Sequence, residues 1–83
     1  MNSNKNILET TPFAVACDDI TEELNLAKQK HPVFAKDINQ GLNIITEEYL
    51  EFVRAINDNE SKDRIKEEAA HVIVTVTRVL EML

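Results

Sequence analysis

The sequence predicts an all-α fold, a small helical bundle of about three helices, from three observations. Only one glycine and two prolines occur in 83 residues, which is typical of long uninterrupted elements. Apolar residues recur at spacings of three and four over two long segments. A short run of asparagine and aspartate separates those segments, as expected of a turn. We therefore expect helices two and three to form an antiparallel hairpin.

The predicted organisation is an N-terminal arm, residues 1–18, followed by a helical domain, residues 19–83. The beginning of the arm shows no periodicity. Asp19, with a glutamate three residues later, resembles a capping box. We therefore predict a first helix from about Ile20 to Lys30, which ends before Pro32 because the residue preceding a proline avoids the α conformation.

The second and third helices have clearer boundaries. Asp37 is the predicted N-cap of a helix that reaches Ile56, and Ser61 is the predicted N-cap of a helix that reaches nearly to Leu83. The turn between them is predicted at residues 57–59. The apolar stripes expected to form the core are Ile38, Leu42, Ile45, Tyr49, Phe52 and Ile56 on the second helix, and Ile65, Ala69, Val72, Ile73, Val76, Leu80 and Leu83 on the third.

The segment 72–77 permits a competing prediction, because its β-branched residues would also suit a strand. Helix is favoured, since the helical period continues through the segment from Ile65 to Leu83. Val74 and Val79 would then lie outside the intramolecular stripe. A helix that is apolar on most sides is usually buried on most sides, so these two residues predict a subunit interface. Chains of this size often gain stability by oligomerising, and we expect a homo-oligomer.

The composition excludes several classes of function. The net charge is −6, from fifteen acidic and nine basic residues, which argues against binding to the nucleic-acid backbone. The strongest apolar run, Val72 to Val76, is too short to cross a bilayer, so no membrane association is expected. The polar N-terminus lacks the pattern of a signal peptide. The single cysteine, Cys17, is compatible with a reducing compartment, and we predict a cytoplasmic protein.

Two acidic clusters provide the candidate functional residues. Residues three or four apart on an α-helix share a face, so Glu48 and Glu51 point one way from the second helix. Glu68 and His71 likewise share a face of the third. If the helices pack antiparallel, these side chains converge as ligands for a cation such as Mg²⁺, which prefers carboxylate oxygens and is completed by substrate phosphates. The alternative is that both clusters lie on a solvated surface. The basic residues near enough in sequence to contact phosphate are Arg54, Lys66 and Arg78.

The paired motifs, Glu47 to Glu51 and Glu67 to His71, resemble the Glu-Glu-x-x-Glu and Glu-Glu-x-x-Asp motifs of MazG-like, all-α nucleoside triphosphate pyrophosphohydrolases. The resemblance extends from about Ile20 to Leu83. It implies a helical bundle assembled as a homodimer or homotetramer, dependence on Mg²⁺, and hydrolysis of a nucleoside triphosphate to a monophosphate and pyrophosphate. By position, it implies Glu48, Glu51, Glu68 and His71 as metal ligands, and Glu47 and Glu67 as catalytic residues that orient water or hold a second ion.

One residue departs from the family pattern. His71 occupies the position where the second motif carries an aspartate. An imidazole is a poorer ligand for Mg²⁺ than a carboxylate and suits ions such as Mn²⁺ or Zn²⁺ better. The sequence therefore also permits a rival hypothesis, in which a catalytically degenerate MazG-like scaffold serves as a nucleotide-sensing or protein-interaction module. A purely structural helical interaction domain is a third alternative.

Overall fold

A computed structural model of the chain describes residues 11–83 as three α-helices. Helix α1 runs Pro12–Lys30, α2 runs Ile38–Asn57 and α3 runs Lys62–Met82, and no strand occurs within these residues. The all-α prediction is therefore confirmed. Residues 1–10 of the predicted N-terminal arm lie outside the described part of the chain.

Helix α1 begins eight residues earlier than predicted. Thr11 is its N-cap, and the Thr11 hydroxyl accepts a hydrogen bond from the Ala14 backbone N–H at 3.1 Å. Pro12 occupies the first turn, where its missing N–H costs nothing and its fixed φ suits the helix. The predicted cap, Asp19, lies inside the helix, so the prediction from the capping-box pattern was wrong. At the other end His31 closes the helix as predicted, since its N–H donates to the Ala27 carbonyl at 2.8 Å.

The predicted caps of α2 and α3 are confirmed. Asp37 Oδ1 accepts from the Gln40 N–H at 2.8 Å, and Ser61 Oγ accepts from the Arg64 N–H at 3.2 Å. Between the two helices the chain turns through Asn59, whose φ of 53° lies in the left-handed region that asparagine tolerates. Residues 72–77 are helical throughout, so the strand alternative is wrong.

Helices α2 and α3 form the predicted antiparallel hairpin. Gly41, near the start of α2, lies against Val79 near the end of α3, whereas Glu48 lies opposite His71. A Cβ at position 41 would sit 2.8 Å from Val79 Cγ2 and 3.3 Å from Phe34 Cε2. The glycine thus permits the close approach of the helices that brings the two acidic clusters together.

Helix α1 packs against α3 alone among the described helices, and the two run parallel. His71 of α3 lies beside Glu23, and farther along Glu81 accepts an ion-pair hydrogen bond from Lys28 at 2.7 Å. No residue of α1 is fully buried. The helix therefore covers one side of the hairpin as a shallow layer. None of the described helices is long and apolar enough to span a membrane.

The apolar stripes predicted as core are largely exposed in the single chain. Among the described residues only Ala55, Ala70 and Val74 are buried apolar side chains. Val74 therefore belongs to the core, and Val79 packs on Gly41, so the prediction that these valines lie outside the intramolecular packing is wrong. Helix α3 instead turns other side chains outward. The exposed members of the predicted stripes are Ile38, Leu42, Tyr49, Ile56, Ile73, Val76, Leu80 and Leu83.

Candidate metal centre

Three potential metal ligands from α2 and α3 converge on one point. Glu48, Glu68 and His71 each present one donor atom, and these atoms all lie within 4.8 Å of one another. His71 Nδ1 is 3.7 Å from Glu48 Oε2 and 3.6 Å from Glu68 Oε1. The i, i+3 spacing of Glu68 and His71 aligns them on α3, and the antiparallel packing places Glu48 across from them.

The donor separations suit a single small cation. Zinc-site bonds to nitrogen and carboxylate oxygen are about 2.1 Å, which places neighbouring donors of a tetrahedral site roughly 3.4 Å apart. The separations of 3.6 and 3.7 Å are close to that value. Small side-chain adjustments would therefore bring the donors onto one ion.

Two buried carboxylate oxygens at this point have no hydrogen-bond partner. They are Glu48 Oε2 and Glu68 Oε2, and the Glu68 side chain is almost fully enclosed, with the residue 1% exposed. A buried unpaired oxygen costs free energy, and a buried carboxylate costs more. A bound cation would satisfy both atoms and neutralise both charges, so the residues present fit a divalent ion.

The environment already disfavours two negative charges in this position. Burial, followed by the nearby Glu51 charge, raises the pKa of Glu48 above the ordinary glutamate value of 4.5. Burial, followed by the neighbouring Glu51 carboxylate, raises the pKa of Glu68, although Arg64 acts in the opposite direction. Desolvation and like charges both favour the protonated forms, which a cation would reverse.

We expect the metal-free protein to become more stable as the pH falls from neutrality towards 4.5, the ordinary pKa of a glutamate. Glutamates whose folded-state pKa is raised stabilise the fold below their unfolded pKa, and that contribution is lost as the pH rises through the folded pKa. The melting temperature in chelator, measured across this range, should rise on acidification. Glu48→Gln should raise the melting temperature at pH 7 and reduce its pH dependence. A wild type that only loses stability on acidification, in parallel with Glu48→Gln, would contradict the expectation.

Two further charged side chains contact the cluster of Glu48, Glu68 and His71. Glu23 of α1 presents Oε2 at 3.4 Å from His71 Nε2, on the side of the ring away from Glu48. Arg64 donates from Nη1 to Glu68 Oε1 at 2.6 Å. Glu23 was not among the predicted residues. Its position four residues before Ala27, on the inner side of the first helix, was the available signal.

A cavity of about 390 Å³ opens beside the cluster, between α1, the loop 31–37 and the hairpin. Glu48 and His71 form part of its wall, so an occupant would reach the candidate metal ligands. Its apolar and aromatic wall includes Leu26, Ala27, Val33, Phe34, Ile44 and Val74. An apolar cavity with a few polar groups at one end is the usual form of a small-molecule site.

The three basic residues predicted to contact phosphate lie in different places in the fold. Arg78 lines the cavity, but its guanidinium donates to the Ala27 and Pro32 carbonyls, each at 3.3 Å. Lys66 lines a second, smaller depression between α1 and α3, and Arg54 is exposed on α2 and lines neither. Lys30, which the sequence analysis did not single out, lines the main cavity. The cavity wall thus contains Arg78, whose guanidinium already binds two backbone carbonyls, and the exposed Lys30.

The other acidic residues predicted for the site lie at its margin. Glu51 is exposed and is not one of the three converging ligands, although it influences the pKa of both buried glutamates. Glu67 is exposed and pairs with Arg64. Glu47 is exposed on α2. The structure therefore brings together Glu48, Glu68 and His71, with Glu51 beside them.

Comparisons with family models, curated proteins and solved structures found no match to this chain. A function is therefore inferred from the geometry of the chain itself and from the resemblance of its two acidic motifs.

Proposed function

We propose that the protein is a metal-dependent, MazG-like nucleoside triphosphate pyrophosphohydrolase that forms a monophosphate and pyrophosphate. The observation that carries the proposal is the convergence of Glu48, Glu68 and His71, with two orphaned carboxylate oxygens, at the edge of a cavity. Such an arrangement suits a cation that a polyphosphate then completes. A bound cation would also neutralise the carboxylates that the metal-free fold buries.

Residues at one end of the cavity would bind the cation, and a residue on the side of α1 would contact the phosphates. Glu48 and Glu68 would hold the cation. Glu51 would be the second carboxylate of α2 that could bind it. The ion, as Mg²⁺ or Mn²⁺, would neutralise phosphate charge and polarise the phosphoryl group. Lys30 would balance charge on the bound phosphates from the side of α1. Glu47 and Glu67 remain candidates for orienting the attacking water.

The reaction requires water to form a bond to the α phosphorus while the bond from that phosphorus to the oxygen bridging the α and β phosphates breaks. The water gives up its proton to a carboxylate, and pyrophosphate departs with the bridging electrons. The apolar wall that includes Phe34 would hold the base. The ligand would then enter with its nucleoside towards the loop 31–37 and its phosphates towards His71.

The decisive experiment measures pyrophosphate release from a panel of ribo- and deoxyribonucleoside triphosphates, with Mg²⁺ and with Mn²⁺. We expect stoichiometric monophosphate and pyrophosphate from at least one nucleotide, and loss of the product with Glu48→Gln. Glu22→Gln removes a charge from an exposed position of α1 and serves as the matched control. Equal product from wild type and Glu48→Gln, or none from any nucleotide, would refute hydrolysis.

We propose that a second copy of the chain covers the exposed apolar face of the hairpin. The face runs along both helices at helical spacing and contains no charged residue among its positions, with Leu80 67% and Leu42 57% exposed. The three buried apolar residues make a small core for 73 described residues, and oligomerisation is the usual remedy. A homodimer is the simplest assembly, and a homotetramer would repeat the contact.

Leu80→Glu is expected to convert the dimer to a monomer and to lower the melting temperature, because it places a charge in the apolar contact. Light scattering coupled to size-exclusion chromatography gives the mass, at about 100 μM protein. Phe13→Glu is the matched control, since Phe13 is 78% exposed on α1 rather than on the hairpin face. A monomeric wild type, or a dimer indifferent to Leu80→Glu, would contradict the assembly.

One observation favours the alternative of a degenerate scaffold that senses nucleotides or binds a protein. His71 lies within 3.7 Å of Glu23, Glu48 and Glu68, so a protonated imidazole would itself supply positive charge among these carboxylates. The scaffold would then need no metal ion. Nucleotide binding that persists in chelator, without pyrophosphate release under any condition, would favour this function over hydrolysis.

A further inference from the structure

His71 faces different partners with its two ring nitrogens. Nδ1 is directed at Glu48 and Glu68, at 3.7 and 3.6 Å, whereas Nε2 lies 3.4 Å from Glu23 Oε2. A neutral imidazole carries a proton on one nitrogen and a lone pair on the other. Only the tautomer protonated at Nε2 offers its lone pair to the cluster and its N–H to Glu23.

Both candidate ligands on α3 therefore have an outer partner. Arg64 donates to Glu68 Oε1 at 2.6 Å, and Glu23 stands behind His71. Ligating histidines in metal sites commonly donate their second ring N–H to a carboxylate, and ligating carboxylates are hydrogen-bonded in turn. The other oxygen of Glu68, Oε2, is buried and has no hydrogen-bond partner. Two ligands that each have an outer partner are typical of a metal site.

We propose that Glu23 is a positioning residue that fixes His71 as an Nδ1 ligand, and that the resulting centre selects a transition-metal ion, Zn²⁺ or Mn²⁺, over Mg²⁺. The inference rests on the proposed metal centre and specifies its ion. Imidazole suits first-row transition metals, whereas Mg²⁺ demands oxygen donors in near-ideal octahedral geometry. Two carboxylates and one imidazole leave coordination positions open for phosphate oxygens and water.

The tautomer and the ligand atom can be observed directly in the full chain. The sequence contains two histidines, His31 and His71, so long-range ¹H–¹⁵N spectra of ¹⁵N-histidine-labelled protein will show two rings. His71→Gln assigns them. We expect Zn²⁺ alone to shift His71 Nδ1 to the metal-bound range while Nε2 keeps its proton, and to leave His31 unchanged. A zinc-bound Nε2, or an unaffected His71 ring at saturating Zn²⁺, would overturn the proposal.

Metal titrations test the role of Glu23. Glu23→Ala should weaken Zn²⁺ and Mn²⁺ binding by about 10- to 100-fold, the usual effect of losing an outer partner. Glu23→Gln should weaken it less, because an amide oxygen at the same position can accept a hydrogen bond from Nε2. Glu22→Ala, a neighbouring exposed charge, is the matched control. Equal losses in Glu22→Ala and Glu23→Ala would indicate a general charge effect and overturn the positioning role.

His71→Asp tests the selectivity. We expect it to raise Mg²⁺ affinity about tenfold or more and to lower Zn²⁺ affinity, so that the ratio of the two constants changes by at least 100-fold. An unchanged ratio would overturn the proposal. Circular dichroism of each variant in chelator establishes that its helices are intact.

Different experimental outcomes would refute the selective metal centre and the proposed hydrolysis. Zinc bound through His71 Nδ1 without pyrophosphate release from any nucleotide would remove the hydrolase and retain the selective centre. Pyrophosphate release supported equally by Mg²⁺ and Mn²⁺, with the His71 ring unaffected by metal, would retain the hydrolase and remove the selectivity.

Discussion

Glu68→Gln is expected to weaken divalent-cation binding by at least about 100-fold, to abolish pyrophosphate release, and at the same time to raise the stability of the metal-free protein. The substitution keeps the size of the side chain and its ability to accept from Arg64, but removes a charge that is enclosed with an unpaired oxygen. Loss of an outer partner alone costs about 10- to 100-fold in affinity, and loss of a direct ligand should cost more. Removal of a desolvated charge accounts for the opposite change in stability.

Calorimetric titration with Mn²⁺ and thermal unfolding in chelator measure the two effects separately. Glu81→Gln is the matched control, because it removes an exposed carboxylate of the same helix that pairs with Lys28. Exposed ion pairs of this kind contribute about 1 kcal/mol or less, so Glu81→Gln should change neither quantity appreciably. Undiminished Mn²⁺ binding by Glu68→Gln would show that the two helices do not share an ion.

Arg78→Ala is expected to destabilise the protein by about 2–4 kcal/mol. The Arg78 side chain is buried, donates to the carbonyls of Ala27 and Pro32, and lies over the Phe34 ring at 5.2 Å from its centroid. Hydrogen bonds from charged groups contribute about 1.5–3 kcal/mol each at good geometry, and these are long. Truncation would also separate α1 and the loop from α3.

Thermal unfolding measures this loss, which should lower the melting temperature by roughly 10–25 °C in a domain of this size. Arg54→Ala, at an exposed position of α2, is the matched control and should have little effect. Arg78→Lys keeps the charge but cannot donate to two carbonyls in the planar geometry of a guanidinium, so an intermediate loss is expected. Equal stability of Arg78→Ala and Arg54→Ala would show that the loop 31–37 is held by other contacts.

Helix periodicity and capping residues predicted much of the fold because they act over a few residues. Asp37 and Ser61 were recognisable as caps because each is a short polar side chain just before a periodic segment. The start of α1 was misplaced because Asp19 also satisfies the local pattern. The helix begins instead at Thr11 and Pro12, an N-cap residue followed by a first-turn proline, which is also a local pattern typical of a helix start.

The candidate ligands were predictable from their spacing, but their surroundings were not. Glu68 and His71 share a face of α3 whatever else the chain does, and antiparallel packing brings Glu48 opposite them. Glu23 lies on a helix whose place beside α3, rather than α2, is decided by contacts distant in sequence. No local pattern contains that information, because parallel packing of α1 on α3 depends on the whole hairpin.

By itself, the sequence determined the three helices, their turn and the alignment of acidic side chains along two of them, because backbone geometry repeats every 3.6 residues. Only the tertiary structure decided which side of α3 faces inward. Apolar residues occupy much of that helix, so its periodicity permits several orientations. The close approach at Gly41 and the anchoring of the loop by Arg78 select one, which buries Val74 and Glu68 and leaves Val76 and Leu80 exposed.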